Sequence, residues 1–294
     1  MPHPFVLCDV FAAAPLQGNQ LGVFTAAERL PEAALQPLAR ELNYSETTFV
    51  YPPSADDAHA RVRIFTPTQE FPFAGHPLLG TAAVVGEALG LRRVCLETGV
   101  GPLEATLEPR DDAVRVRLAA PLPRPSAYPD PAGLRAALGL PPDGGPVAVE
   151  DAGMPHAYVE LPDAAAVSAL RPDLQALVPH THAYGANCFA IDGTRVRTRM
   201  FAPGDGVPED PATGSAAVGL AALLVRTGRV ASGVALTIAQ GAEIGRPSVL
   251  HVRAEAVDGE PVAIELAGDV VVVAQGAFYD RATTATVASD GSPQ

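Results

Sequence analysis

Glu46, His76 and Asp210 are the side chains of this sequence whose types and settings suit proton transfer. Glu46 stands in ELNYSETTFV, between a helical stretch and a short strand, beside Tyr44, Phe49 and Val50. Facing inward among such neighbours, a carboxyl loses hydration, its pKa rises, and it becomes a proton shuttle usable near neutrality. Facing outward, it is an ordinary loop glutamate. His76 follows Gly75 in GHPLLGTAAVV, and Asp210 opens DPATGSAAVG. Both motifs read as starts of apolar helices, where free N–H groups attract an anion. Gly75, Gly214 and Ser215 are therefore expected to grip a small carboxylate. The helix dipole disfavours imidazolium at position 76 and favours a neutral ring that donates one hydrogen bond and accepts another. Asp210 reads first as the N-cap of its helix, a role compatible with touching a substrate.

These motifs belong to a pattern that runs through the chain twice. FTPTQEFPFAGHPLLGTAAVV (65–85) answers FAPGDGVPEDPATGSAAVGLA (201–221). Phe65 and Pro67 match Phe201 and Pro203, and Gly80, Ala82, Ala83 and Val84 match Gly214, Ala216, Ala217 and Val218. Gly18 in GNQLGVF faces Gly153 in GMPHAYV, and 44–49 faces 184–189, which sets Glu46 opposite Ala186. Two like halves commonly build a site between them. A carboxylate present in one copy alone suggests that one group does the proton work.

The elements that must position these residues are mostly short strands. Runs such as 5–11, 21–24, 48–51, 60–66, 93–98 and 113–118 are apolar or alternating and end at Gly, Pro, Asn or Asp. The second half repeats the habit at 147–152, 157–161, 188–192, 195–201, 235–240, 249–255, 262–268 and 270–274. Amphipathic 30–43 reads as a helix that Pro37 bends, and 129–140 and 169–178 read as short surface helices. Residues 76–89 and 212–227 differ, being apolar nearly all round, and a helix without a polar face is normally enclosed. The expected fold is α+β, with two pseudo-symmetric halves, each a mixed sheet or barrel wrapped around a central buried helix. The halves are placed at 1–120 and 130–275, with proline-rich 120–131 as linker. A C-terminal strand at 275–285 is a candidate to join the first half, and 282–294 reads as a frayed tail.

Composition excludes several classes of function. The 294 residues are 48% hydrophobic, with no apolar run of membrane-spanning length. The start MPHPFVLCDVF lacks the basic and long apolar regions of a signal peptide. Cys8, Cys95 and Cys188 are odd in number and widely spaced, which fits a reducing cytoplasm and offers no metal-ligand spacing. A net charge of −13 argues against binding a phosphate backbone. No GxGxxG after a strand, P-loop or HExxH is present, so no nucleotide, metal or flavin cofactor is expected. Of the remaining histidines, His3, His59 and His251 read as superficial, His180 and His182 as loop residues, and His156 as a candidate to approach the site.

Taken together, DVFAAAPLQGNQLGVF (9–24), NYSETTFV (43–50), FTPTQEFPFAGHPLLGTA (65–82), EDPATGSA (209–216) and QGAEIGRPS (240–248) resemble the PhzF-type isomerase family, which shares the diaminopimelate-epimerase fold. The resemblance implies that Glu46 is the proton-shuttling glutamate and that His76 and Asp210 are its polar partners. It implies that Gly214 and Ser215, with Gly75 and Asn19, bind the substrate carboxylate. It also implies no cofactor, a cytoplasmic homodimer, and a substrate such as trans-2,3-dihydro-3-hydroxyanthranilate. The usual GNP of the family reads Gly18-Asn19-Gln20 here, which bears on the wall of the site and hence on specificity. Three readings follow. The first is isomerisation of a small carboxylate by one glutamate. The second is two-base racemisation or epimerisation in the same cleft. The third is a non-catalytic binding protein on this scaffold.

Overall fold

The computed structural model describes residues 2–181 and 185–279. Strand β1 (Pro2–Val10) pairs antiparallel with β2 (Asn19–Phe24). Helix α1 (Glu32–Leu42) then carries the chain back, so that β3 (Glu46–Tyr51) runs parallel to β2. Strand β4 (Ala60–Phe65) is antiparallel to β3 and holds the short β5 (Glu70–Phe71). Helix α2 (Gly75–Leu89) follows, and β6 (Arg93–Thr98) returns parallel to β4. Strands β7 (Gly101–Pro109) and β8 (Val114–Ala120) add antiparallel.

Strand β9 (Arg124–Ala127) pairs antiparallel with β10 (Ala148–Asp151) around helix α3 (Pro131–Ala137). Antiparallel β11 (Pro155–Glu160) comes next, then α4 (Ala164–Ala169), α5 (Leu174–Leu177) and β12 (Gly185–Asp192), which is parallel to β11. Strand β13 (Arg195–Ala202) is antiparallel to β12 and holds β14 (Val207–Asp210). Helix α6 (Gly214–Arg226) leads to β15 (Ala235–Gln240), parallel to β13, and on to antiparallel β16 (Ser248–Val257) and β17 (Glu260–Tyr279). Strand β17 pairs with β16, with β8 over 264–270 and with β1 over 270–279. The mixed sheet thereby closes into a barrel.

Helix α2 packs against β1, β2, β3, β6, β7, β8 and β17, and α6 packs against β10, β11, β16 and β17. Every residue of α2 from Gly75 to Gly86 is buried, as its lack of a polar face requires. Leu78 and Leu79 are fully enclosed, each worth about 1.5–3 kcal/mol of apolar burial. Gly90, at φ +67, ends the helix in the left-handed conformation that glycine adopts without strain.

Several expectations change on the structure. The runs 262–268 and 270–274 are one continuous strand. Gly268 interrupts the apolar pattern because Phe11 lies against it: a Cβ there would sit 2.1 Å from the ring. The linker 120–131 contains β9, whose single proline, Pro125, leaves enough N–H groups to pair with β10. Strand β7 escapes the sequence patterns because most of its side chains are exposed. His3, read as superficial, is buried. Of the strand placed at 275–285, residues up to Tyr279 belong to β17; the tail 282–294 lies outside the described residues, as do His182 and Tyr184.

The match of Gly80 to Gly214 is also displaced. The two helix starts, Gly75 and Gly214, are the residues that meet. A Cβ on Gly75 would lie 2.8 Å from the Gly214 Cα, and one on Gly214 would lie 3.0 Å from the Gly75 Cα. Gly80 packs further along, against Leu21, Val10 and Cys8. The strands shift the other match by one residue. Phe65 pairs with Thr47 and Phe201 with Ala186, so the match of Phe65 to Phe201 sets Glu46 against Gly185 and not against Ala186.

Candidate functional site

Glu46 opens β3 and lies beside Leu21 of β2 in the parallel register. Asn19 opens β2, behind a turn in which Gly18 takes φ +67. The Arg246 guanidinium fastens that turn, donating to the carbonyls of Gly18 (2.9 Å) and Gln17 (2.8 Å) and to Asp9 (2.5 Å). His76 is the second residue of α2, and Asp210 the last of β14. Glu46, Gly75, His76, Asp210, Gly214 and Ser215 line one pocket, together with Ser45, Thr213 and Met154. Its volume is about 30 Å³. Asn19 stands directly behind it. Among the described residues, no group of three or more His, Cys, Asp or Glu side chains is placed to share a metal ion.

Two carboxyls, Asp210 buried and Glu46 nearly so, face this pocket under opposite constraints. Asp210 accepts from Ser45 Oγ (2.6 Å) and Asn19 Nδ2 (2.9 Å) on Oδ1, and from Thr213 Oγ1 (2.6 Å) on Oδ2. Burial raises its pKa, and these three donors work against the rise. Glu46 has no such set: its Oε2 is buried without a hydrogen bond and lies 3.4 Å from His76 Nδ1. Burial first, and the nearby Asp210 charge second, hold its carboxyl well above the usual range.

Burial lowers the His76 pKa to about 3, opposed in part by the Gln20 backbone. The ring is neutral, as the helix-start argument required, although enclosure rather than the dipole is the main cause. Glu46 Oε2 therefore faces a neutral ring at 3.4 Å, and the two do not form an ion pair. Asn19 Nδ2 lies 2.9 Å from Asp210 Oδ1, 3.0 Å from Ala212 O and 3.3 Å from His76 Nδ1. Its two hydrogens serve the two shorter contacts. His76 Nδ1 is thus left facing Glu46, and a small closure would let it accept from the protonated acid or, in the other tautomer, donate to the carboxylate.

Asp210 is not the N-cap of α6. The helix begins at Gly214 with Thr213 as N-cap and no capping side chain. Ser45 and Asn19, drawn from distant parts of the chain, and the nearby Thr213 take up the Asp210 oxygens instead. Gln240 supports the same corner. It donates to Asp210 O (2.8 Å) and Thr213 Oγ1 (3.0 Å), and it accepts from Thr198 Oγ1 (3.1 Å) and Thr213 N (3.3 Å). Sequence reasoning missed Ser45, Thr213 and Gln240 as site residues, though each lies in a motif singled out above. His156, a candidate to approach the site, is fully buried with Nε2 2.8 Å from Ser215 Oγ. It touches the wall of the pocket from behind.

Chemically, the arrangement joins one free, desolvated carboxyl, a neutral imidazole, a fixed carboxylate and two helix starts that meet at Gly75 and Gly214. It suits holding an anion while a proton is moved.

The family model described as phenazine biosynthesis-like protein, PhzC-PhzF, matches residues 8–276. A trans-2,3-dihydro-3-hydroxyanthranilate isomerase of Pseudomonas aeruginosa is 44% identical over 278 residues, which cover 94% of this chain and 99% of that protein. The solved structure of a predicted epimerase from Pseudomonas aeruginosa superposes with a TM-score of 0.81 at 32% identity, covering 95% of this chain and 100% of that one. A probable proline racemase from Agrobacterium radiobacter shares the fold at TM-score 0.64 and 17% identity, covering 96% and 94%. The chain belongs to the PhzC-PhzF family of phenazine biosynthesis-like proteins.

Proposed function

We propose that the protein isomerises a small carboxylate without a cofactor, with Glu46 relocating one proton along the substrate. The protein is an isomerase, and its substrate is of the trans-2,3-dihydro-3-hydroxyanthranilate type, a cyclic amino acid. The observation that carries the reading is the inequality of the two carboxyls: three donors hold Asp210, whereas Glu46 Oε2 meets only a neutral histidine. The Glu46 carboxylate takes a proton from one ring carbon. Burial and the Asp210 charge favour the acid so formed, which delivers the proton to a second carbon on the same face. His76 orients the carboxyl through both steps. The substrate carboxylate lies against the Gly75 and Gly214–Ser215 helix starts, where backbone N–H groups and both helix dipoles favour negative charge.

The same reading takes the chain as two duplicated halves, 1–120 and 130–275, each wrapped around one helix, with the site in the cleft between them. The order of strand pairing supports this. From β1 to β8 it runs antiparallel, parallel, antiparallel, parallel, antiparallel, antiparallel, and from β10 to β17 the same succession recurs. A pocket of about 30 Å³ has room for roughly one water. Substrate entry therefore requires the walls to part and close again, which excludes water from the reaction.

The test is turnover in deuterium oxide with Glu46→Gln, which should bind the substrate and transfer no proton. A second reading, two-base epimerisation, has one observation in its favour: Asp210 faces the same pocket with a raised pKa. Deuterium entering both epimers of an α-amino acid would select it over the isomerase.

A further inference from the structure

A second cavity, far larger than the first, lies at the other end of α6. It measures about 1030 Å³ and runs from the end of α3 past β11 and α4 to the last turn of α6. Leu161, Phe189 and Leu224 are among its walls, and its lining is mainly apolar. Its charged groups are of unusual sign for this protein. Arg135, Arg171 and Arg229 line it against one carboxylate, Glu160, in a chain whose net charge is −13. Glu160 is fully engaged by Arg229, through contacts of 2.8 and 2.9 Å. Among the described residues, Arg135 and Arg171 have no such partner. Arg135 Nε donates to Pro141 O (2.8 Å), and Arg171 Nη1 donates to the carbonyls of Leu170 (2.7 Å) and Ser168 (3.1 Å).

Arg135 is the decisive group, because it is only 5% exposed. A guanidinium so nearly enclosed, with no carboxylate beside it among the described residues, is costly, since backbone carbonyls offset only part of its lost hydration. The loop wrapped around it carries Gly144, where a Cβ would lie 2.0 Å from Nη2. The chain thus fits closely around a cation and leaves an apolar chamber of ligand size in front of it.

We infer that this cavity binds an apolar organic acid, its hydrocarbon body among the leucines and its carboxylate on Arg135, with Arg171 at the rim. The site is separate from the pocket around Glu46 and does not depend on the reaction assigned there. A planar guanidinium fork suits a carboxylate, which can accept two parallel N–H bonds.

Titration calorimetry with octanoate and with octanol as an uncharged body of equal length tests the inference. Octanoate should bind saturably and about tenfold or more tightly than octanol, the preference expected of a charge-assisted hydrogen bond. Arg135→Met should remove that preference. Equal affinity for acid and alcohol, or a preference for the acid that survives in Arg135→Met, would overturn the assignment. If Arg135→Met does not fold, crystals of the unaltered protein soaked with 8-bromooctanoate decide by the position of bromine. Density in this cavity supports the site; density beside Gly75 and Gly214, or none, refutes it.

Discussion

Replacing Gly75 with alanine tests whether the two helix starts touch as described. A Cβ at position 75 would lie 2.8 Å from the Cα and 2.9 Å from the carbonyl carbon of Gly214, and 3.0 Å from Leu266 Cδ2. Leu266 can rotate away, but the Gly214 backbone is pinned between Thr213, which Gln240 holds, and the rest of α6. Overpacking of this kind costs about 1–3 kcal/mol. Alanine would recover at most about 1 kcal/mol of helix propensity, and less at a first helical position. The net loss is therefore about 1–2 kcal/mol, a fall in Tm of about 2–4 °C per kcal/mol for a chain of this size class. The displaced N–H groups should also raise KM more than they lower kcat. Gly90→Ala is the control. It meets nothing within 4 Å but holds φ +67, so it should cost about 1 kcal/mol and leave KM alone. A Gly75→Ala protein with unchanged Tm and unchanged KM would refute the close meeting of the helices.

Three further outcomes follow from the site. The Glu46 carboxyl, raised by burial and the Asp210 charge, favours the folded state below its unfolded pKa and loses that contribution as pH rises through its folded value. Glu46→Gln should therefore be more stable than the parent at neutral pH and nearly equal to it at mildly acid pH, as read by denaturant titration at both; greater stability of the parent at pH 7 would contradict the burial. Ser45→Ala removes a 2.6 Å donor from Asp210 and should raise the Asp210 pKa, shifting the acid limb of the kcat/KM profile upward; an unmoved limb would mean that Asp210 is not linked to turnover. Gln240→Leu leaves Thr213 N and Asp210 O without their partners and should cost about 1–3 kcal/mol by thermal denaturation, whereas a neutral result would mean that the amide does not organise this corner.

Much of this was legible in the sequence where composition and packing point the same way. An α2 with no polar face can only be enclosed, whereas the residues around Glu46 left open whether it turns inward or outward, and the resemblance alone favoured the inward reading. The register of the repeat was not legible. AAV recurs within both apolar helices, so matching letters set Gly80 on Gly214, while the residues that touch in the fold are Gly75 and Gly214. Asp210 misled for a similar reason. Asp before Pro is a common helix opening, and only the folded chain brings Ser45 and Asn19 to its oxygens. Strand β9 lies in a proline-rich stretch that reads as linker because its partner, β10, is distant in sequence. The cavity around Arg135 is formed by loops and helix ends, which carry no periodic signal.

The central claim is that one carboxyl, Glu46, carries the proton. The most direct measurement is turnover of trans-2,3-dihydro-3-hydroxyanthranilate in deuterium oxide, followed by mass and NMR analysis of the product, with the parent enzyme and with Glu46→Gln. With the parent enzyme the substrate's own hydrogen should reach the newly protonated carbon, so that the product carries less than one deuterium there, and with the variant the substrate should be bound but unconverted and unlabelled. Conversion by Glu46→Gln at the parent rate would contradict the claim.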